Sequence, residues 1–264
     1  MTRMAGSYVV QTGCCGALYR RQAYASINFS ADEYWTDGRR VNSLFPNDGG
    51  LRKCQCGSFF LLHDCDKLYD LPKDNLKPRA PKGWQHTKDN WWRRLLGKPT
   101  LGDYLSNYDI RTEEEIAAQE QAKPPWPSAV QESDLPTAIE SAAGHVQLEI
   151  AARRLWWMSQ NDPFREVYRK HKEIHPDTFP PFEASDEQKE NMLKLAYLLE
   201  DQYSPPWLEV AEICREVGDM DAAAKALKLA GKSDETLSLV IRELIEINYA
   251  GPARFRYGDE HIGF

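Results

Sequence analysis

The sequence lacks any apolar run long enough to cross a membrane. A helical span needs about 20 consecutive, mostly apolar residues, and no stretch of the 264 residues approaches that length. The first residues, MTRMAGSYVVQTG, also lack the continuous apolar segment of a secretory signal peptide. We therefore expect a soluble, cytoplasmic protein that does not bind a membrane.

A surplus of positive charge is absent as well. The chain has 33 Lys and Arg against 40 Asp and Glu, which gives a formal net charge of -7. Unassisted binding to a phosphate backbone requires clustered Lys and Arg. This acidic balance disfavours a nucleic acid as the partner.

Recognisable catalytic motifs are also missing. The patterns Gly-x-Ser-x-Gly, His-Glu-x-x-His and Gly-x-Gly-x-x-Gly do not occur. The carboxylates are dispersed over polar segments such as TEEEIAAQEQ, so the sequence identifies no acid, base or nucleophile. These absences favour a protein that is not an enzyme.

The pattern along the chain divides it into three parts. Residues 1–69 favour short strands, because SYVVQ, ALYRRQAYASINF and SFFLLH are rich in β-branched and aromatic residues and alternate with Gly, Asn and Asp turns. Residues 70–133 form a connecting segment rich in Pro and Trp, in which LPKDNLKPRAPKGW and AKPPWPS prevent regular structure. Residues 134–264 form a helical domain. The predicted fold class is α+β, with a small N-terminal antiparallel β module followed by α-helices.

Capping residues and apolar periodicity predict the positions of several helices. Thr112, followed three residues later by Glu115, predicts a capped polar helix inside the connecting segment. A long helix begins near Ser133 and is predicted to break within 156–182 (WWMSQNDPFREVYRKHKEIHPDTFPPF), which we interpret as an irregular crossing. Further helices are expected over 185–202, 205–217, 219–231 and 233–248. The middle pair, WLEVAEICREVGDMDAAAKALKLA, has the small-residue spacing of a single tetratricopeptide-type hairpin.

The cysteines are the most informative residues. Five of the six lie between Cys14 and Cys65, and in a reducing compartment such clustering indicates metal or thiol chemistry more often than structural disulfides. In a zinc ribbon each of two loops presents Cys-x-x-Cys, which directs two thiolates at one tetrahedral ion. Here QTGCCG and KCQCG have Thr12 and Lys53 where the first cysteine of each loop belongs.

Nearby residues offer replacements for the missing ligands. Three interpretations stay open: a rearranged zinc site, a degenerate ribbon whose cysteines are merely buried, and a thiol switch that forms a disulfide. The lone sixth cysteine, Cys214, is interpreted as a packing residue in the helical hairpin. The candidate metal ligands are Cys14, Cys15, Cys54, Cys56, His63 and Cys65.

Three segments together resemble a set of uncharacterised bacterial proteins. These are the N-terminal YVVQTGCCGALYRRQAY…KCQCGSFFLLHDC, then LEIAARRLWWMSQNDPFR, and WLEVAEICREVGDMDAAAKAL. The resemblance implies an N-terminal zinc-ribbon-like segment joined to a C-terminal tetratricopeptide-like helical segment. It implies no activity, and Thr12 and Lys53 depart from its Cys-x-x-Cys pattern.

These observations favour a cytoplasmic interaction or adaptor protein with a structural zinc ion and a protein partner. The helical hairpin, the many tryptophans and the absence of catalytic motifs support that hypothesis. A thiol-based redox sensor or enzyme that uses the cysteine cluster is the alternative. A nucleic-acid-binding zinc ribbon is the third possibility.

Overall fold

The computed structural model describes residues 3–26, 31–43, 47–71, 91–108, 112–231 and 234–256. The predicted α+β class is confirmed, since antiparallel strands occupy the N-terminal part and helices dominate the C-terminal part. Within the described part of the chain no helix is long and apolar enough to cross a membrane.

The regular elements follow in chain order. The strands are β1 (Arg3–Gln11), β2 (Leu18–Ser26), β3 (Glu33–Trp35), β4 (Arg40–Val41), β5 (Leu51–Lys53), β6 (Phe59–Leu61), β7 (Asp66–Asp70), β8 (Ser128–Ala129) and β9 (Arg254–Phe255). The helices are α1 (Trp91–Leu95), α2 (Leu101–Asn107), α3 (Glu113–Gln121), α4 (Leu135–Ser141), α5 (Val146–Gln160), α6 (Asp162–Ile174), α7 (Asp186–Glu200), α8 (Trp207–Glu216), α9 (Met220–Ala230) and α10 (Glu235–Glu246).

The chain forms two compact units, each built from separate stretches of sequence. One consists of Thr2–Ser26 and Asp66–Pro127. Its sheet has the order β2-β1-β7, with antiparallel pairing throughout. The neighbouring residues Val9 and Val10 in β1 are both fully buried. Because successive strand residues point to opposite faces, both faces of this central strand are covered.

The other unit consists of Ile27–Cys65 and Ser128–Phe264. It contains two small sheets, β4-β3-β9 and β6-β5-β8, beside helices α4 to α10. Leu51 in β5 and Leu61 in β6 pack with Leu135 and Leu148 of α4 and α5. A larger apolar core joins α5 and α7 to α10 around residues such as Leu195 and Ile213. The β5–β6 hairpin is therefore anchored on the helices of its own unit.

Several predicted helix ends are confirmed. Thr112 caps α3 with a capping box, in which its hydroxyl accepts from the main-chain N–H of Glu115 and the Glu115 carboxylate accepts from the main-chain N–H of Thr112. Gly218 (φ 92°) makes the turn between α8 and α9, where Asp219 accepts a hydrogen bond from the main-chain N–H of Ala222. The two helices of this hairpin pack on each other as expected, whereas its likeness to a tetratricopeptide repeat stays a prediction.

Two parts of the helical prediction are wrong. The long helix expected from near Ser133 is two helices, α4 and α5, with residues 142–145 between them. Residues 156–182, expected to form an irregular crossing, contain the end of α5 and the whole of α6, Asp162–Ile174. Pro163 lies in the first turn of α6. At that position proline loses no intrahelical hydrogen bond, because the first N–H groups of a helix have no partner within it.

Candidate metal centre

The first cysteine pair lies in the loop that joins β1 to β2. Thr12 N–H donates to the carbonyl of Ala17, and Gly16 N–H donates to the carbonyl of Thr12, both at 3.0 Å. Gly16 has φ 71°, a left-handed conformation that glycine adopts without the strain of a Cβ. These bonds hold a tight turn with Cys14 and Cys15 at its tip, where both side chains are exposed.

The second pair lies in the loop between β5 and β6 and has a similar construction. Cys54 N–H donates to the carbonyl of Ser58 at 2.8 Å, and Gly57 N–H donates to the carbonyl of Cys54 at 2.9 Å. Gly57 has φ 87°. Cys54 is buried while Cys56 is exposed. In both loops a left-handed glycine directly follows the second cysteine.

Thr12 and Lys53 have other roles where a zinc ribbon would have ligands. Thr12 is buried, and its hydroxyl donates to the carbonyl of Ala17 at 3.3 Å. The Lys53 ammonium lies 2.6 Å from a carboxylate oxygen of Asp134, and its hydrogen bond lowers the pKa of that carboxyl group. Thr12 thus stabilises its own loop, whereas Lys53 ties the end of β5 to the residue before α4.

The sulfur atoms of Cys14, Cys15, Cys54 and Cys56 all lie within 4.8 Å of one another. We refer to these residues as the four-cysteine group. In a tetrahedral zinc site with Zn–S bonds of about 2.3 Å, neighbouring sulfurs are separated by roughly 3.8 Å. Four sulfur atoms at the observed spacing could therefore hold one metal ion. Sequence reasoning identified all four residues.

Two other predicted ligands, His63 and Cys65, are not members of that group. β6 ends at Leu61, and residues 62–65 form a turn rather than a continued strand. The exposed His63 has its Nε2 atom 3.4 Å from a carboxylate oxygen of Asp64. Cys65 is half-buried, and its thiol donates to the carbonyl of Leu61 at 3.6 Å.

The positive charges that the thiol-switch interpretation requires are engaged elsewhere. A lowered thiol pKa depends on a nearby cation. Arg20 pairs with Glu120 at 2.7 Å, Arg52 pairs with Asp48 at 2.7 Å, and Lys53 pairs with Asp134. Of the four cations near the cysteines in the sequence, Arg20, Arg21, Arg52 and Lys53, three are therefore compensated by carboxylates.

Cys214 differs from the four-cysteine group. It lies in the apolar core of the helical region, beside residues of α7 and α9. Burial raises the pKa of its thiol to about 11. This agrees with its interpretation as a packing residue, because a protonated, buried thiol is neither a good nucleophile nor a metal ligand.

A second polar assembly was not anticipated from the sequence. Asp37, Asn161, Arg165 and Glu216 are all buried. Asn161 Nδ2 donates to a carboxylate oxygen of Asp37 and to one of Glu216, both at 2.9 Å, and Arg165 pairs with Asp37. We call these residues, with the buried ion pair of Glu212 and Arg215, the buried charge cluster.

The pKa of Glu216 in that cluster is strongly shifted. Its Oε2 atom accepts from Trp157 Nε1 at 2.8 Å and from Asn161, whereas its Oε1 atom has no hydrogen-bond partner among the described residues. Burial raises the pKa of Glu216 well above its ordinary value, and the negative charges of Glu212 and Asp37 raise it further. The sequence signal was weak: two glutamates, Glu212 and Glu216, lie beside Arg215 in an otherwise apolar stretch of α8, and the structure shows that stretch to be buried.

Comparison with known proteins adds no identity to this geometry. No protein-family model, no curated protein and no solved structure matches the chain. The small antiparallel β region with its cysteine cluster and the helical region that follows are features of this structure itself. The bacterial family that the sequence resembles is not established by these comparisons.

Proposed function

We propose that the protein is a non-enzymatic adaptor that carries one structural zinc ion on the four-cysteine group and binds another protein through its helical region. The spacing of the four sulfur atoms, all within 4.8 Å of one another, is the observation that carries the zinc assignment. Four thiolates in a tetrahedral arrangement are a donor set typical of structural zinc.

A structural role agrees with the small size of the β5–β6 hairpin, which presents Cys54 and Cys56. β5 and β6 have three residues each, and the loop after β1 is held by two main-chain hydrogen bonds. A hairpin with three-residue strands buries little apolar surface of its own, so a metal ion bound by Cys54 and Cys56 stabilises this hairpin directly. Zinc supplies this stabilisation without redox chemistry.

Metal content of the purified full-length chain tests this proposal. We expect about one zinc per chain by mass spectrometry when chelators and histidine tags are avoided. Cys56→Ser should lose that zinc, whereas Cys65→Ser, a cysteine of the same region outside the four-cysteine group, should retain it. Metal-free protein that folds normally, or iron in place of zinc, would overturn the zinc assignment.

The proposal that the protein binds a partner depends on an exposed apolar stripe of α7. Leu193 and Tyr197 are 55% and 73% exposed and are four residues apart, so they lie one above the other on the same helix face. With Glu149, Lys194 and Leu198 they line a shallow depression of about 310 Å³. An apolar pair at this spacing complements the apolar face of an amphipathic helix. We therefore propose a helical segment of another protein as the ligand.

Paired surface variants test the stripe. Tyr197→Glu should abolish capture of a specific protein from a native lysate, because it places a charge in the apolar contact. Tyr203→Glu, at an exposed tyrosine in the loop after α7, is the matched control and should leave capture unchanged. Equal capture by both variants would refute the stripe as the binding surface.

The exposure of three thiols favours a second candidate, a redox function. Cys14, Cys15 and Cys56 are exposed, and exposed thiolates react with peroxide to a sulfenic acid that condenses with a neighbouring thiol to form a disulfide and water. A switch of this kind predicts rapid iodoacetamide labelling of these cysteines in protein as purified. The structural zinc site predicts slow labelling that accelerates only after zinc is removed. Cys214, with its raised pKa, should label slowly in both cases.

A further inference from the structure

The larger unit contains a cavity whose lining includes no member of the four-cysteine group. Its volume is about 740 Å³, within the range of small-molecule pockets of roughly 300 to 1,000 Å³. The turn between β3 and β4, part of α5, the start of α8, the end of α9 and the start of α10 surround it. The cavity is therefore large enough for a molecule that contains several rings.

The lining of this cavity is mostly apolar. It includes Met158 of α5, Trp207 and Leu208 at the start of α8, and Leu237 of α10. Trp207 also packs partly against the larger apolar core, which restricts the movement of its ring. An indole ring and a flexible thioether both make favourable contacts with another aromatic ring. This lining therefore favours an aromatic ligand.

The main chain around the cavity is held in place. Pro205 and Pro206 have φ angles fixed by their rings, and Trp207 N–H donates to the carbonyl of Pro205 at 2.9 Å. Asn47 Oδ1 accepts from Arg40 N–H at 3.0 Å, and Asn47 Nδ2 donates to the carbonyl of Arg40 at 2.8 Å. A lining held in this way loses little conformational freedom when a ligand binds, which favours affinity.

The formal charges of the lining cancel. The charged residues of the described lining are two arginines, Arg40 and Arg154, and two carboxylates, Asp37 and Glu209. Arg154 donates from Nε and Nη2 to the two carboxylate oxygens of Glu209, at 2.5 and 2.7 Å, so this bidentate pair is neutral as a unit. Asp37 pairs with the buried Arg165, and Arg40 also interacts with other groups of the protein. Each of these four side chains is therefore already engaged within the protein.

A charged ligand gains little at such a site. An anion or a cation loses hydration when it enters a mostly apolar cavity, and it recovers that loss only where an opposite charge is available to pair with it. Here it would have to displace a partner from an existing interaction. An uncharged ligand loses much less hydration and leaves those interactions intact.

From these features we propose that the cavity binds an uncharged aromatic small molecule, with its rings against Trp207 and Met158. Burial of the ligand's apolar surface supplies the affinity, and the balanced charges of the lining select against ionised relatives of the same ligand. The site lies wholly within the larger unit. It goes beyond the proposed adaptor function, because it requires neither the zinc ion nor a protein partner.

Displacement of a fluorescent probe tests the ligand class on the unmodified, full-length protein at neutral pH. The probe, N-phenyl-1-naphthylamine, is uncharged, and we expect it to bind saturably with about one probe per chain. Three competitors share a naphthalene body: 2-naphthalenemethanol is uncharged, 2-naphthoate is an anion and 2-naphthylmethylammonium is a cation. The alcohol should displace the probe at a concentration roughly tenfold lower than either ion. The absence of saturable probe binding, or an ion that competes as well as the alcohol, would overturn the proposal.

Two lysine variants test whether the cavity is the site of binding. Ala230→Lys places a positive charge in the lining at the end of α9, so it should weaken binding of the uncharged probe and improve competition by 2-naphthoate roughly tenfold relative to the alcohol. Leu229→Lys makes the same charge change at the adjacent residue, which is 60% exposed and outside the lining, and should leave the order of the competitors unchanged.

A third variant separates charge from volume. Ala230→Gln has a side chain of similar length to lysine but no charge, so it should weaken probe binding without improving competition by 2-naphthoate. Urea denaturation checks that each variant folds. If Ala230→Lys and Ala230→Gln both bound the probe as the unmodified protein does, or if Leu229→Lys changed the competition as much as Ala230→Lys, the cavity would not be the site.

Discussion

The four-cysteine group keeps three of its four thiols exposed, and main-chain turns hold its loops. The buried charge cluster has Asp37, Arg165, Glu212, Arg215 and Glu216 almost completely removed from water, and its side chains hold one another. A buried ion pair stabilises a protein only while its partners compensate each other. Exposed thiolates lose little hydration when the protein folds. Their loops are stabilised instead by the binding free energy of a metal ion taken up from solution.

The two assemblies should therefore respond to different changes. The four-cysteine group should be sensitive to metal supply and to loop conformation, while the buried charge cluster should be sensitive to the loss of any single charge. The buried charge cluster contains three carboxylates and two arginines, so a proton on Glu216 completes its compensation. The predictions below test this contrast.

The largest expected effect follows from removing one charge of the buried pair. Asp37→Asn leaves Arg165 buried with only the half-exposed Asp162 as its carboxylate partner. Breaking a buried pair in this way typically lowers the free energy of unfolding by about 3 to 5 kcal/mol. Urea denaturation of both proteins at fixed zinc content measures the difference.

Two further variants control that measurement. Asp201→Asn removes an exposed charge at the end of α7 and should change the free energy of unfolding by less than about 0.5 kcal/mol. Asp37→Asn combined with Arg165→Met removes both charges and should be less destabilising than Asp37→Asn alone. A double variant as unstable as the sum of the two single ones would show that compensation does not hold this cluster.

A smaller effect is expected from the loop that presents Cys54 and Cys56. Gly57 has φ 87°, and a Cβ at this position would meet no atom within 4 Å. Gly57→Ala thus adds backbone strain without a steric clash, which costs about 1 to 2 kcal/mol. We expect zinc affinity to fall by about tenfold, measured by competition with a chromophoric chelator.

Gly13→Ala is the matched control for this change. Gly13 lies in the other cysteine loop, a Cβ there also meets no atom within 4 Å, and its φ is not positive. Zinc affinity should be the same as in the unmodified protein. If both alanine variants bound zinc equally well, the left-handed glycine would not be needed to direct the thiolates.

Much of this architecture follows from local sequence rules. The α+β class, α7 to α10, and the capping box of Thr112 and Glu115 were all predictable, because periodicity and caps depend on residues a few positions apart. The four-cysteine group was predictable as a candidate set, since each pair is local to one loop. The pairing of Lys53 with Asp134 gives a structural reason for a lysine at a position where a zinc ribbon has a cysteine.

The buried charge cluster was not predictable in the same way. Asp37 and Arg165 are separated by 128 positions, and each looks like an ordinary surface residue in its local segment. Asp37 lies in the turn-forming stretch TDGRR, and Arg165 lies in the stretch 156–182 that was predicted to be an irregular crossing. The pairing of Arg165 with Asp37 requires α6, so the wrong prediction for that helix left this ion pair unpredicted.

The smallest effect at pH 5, and the most specific for the comparison, is expected for Glu216→Gln. The raised pKa means that the folded state binds a proton over a pH range in which the unfolded state has released it. The stabilisation from this group is complete below the unfolded-state pKa of about 4.5 and is lost as pH rises through the folded-state pKa. A glutamine accepts the same hydrogen bonds from Trp157 and Asn161 but does not titrate. The variant should therefore have nearly unchanged stability at pH 5 and become progressively more stable than the unmodified protein toward pH 9, as measured by urea denaturation across that range. A constant stability difference between the two proteins at every pH would show that Glu216 does not retain a proton in the folded state, and the buried charge cluster would then contain an uncompensated negative charge.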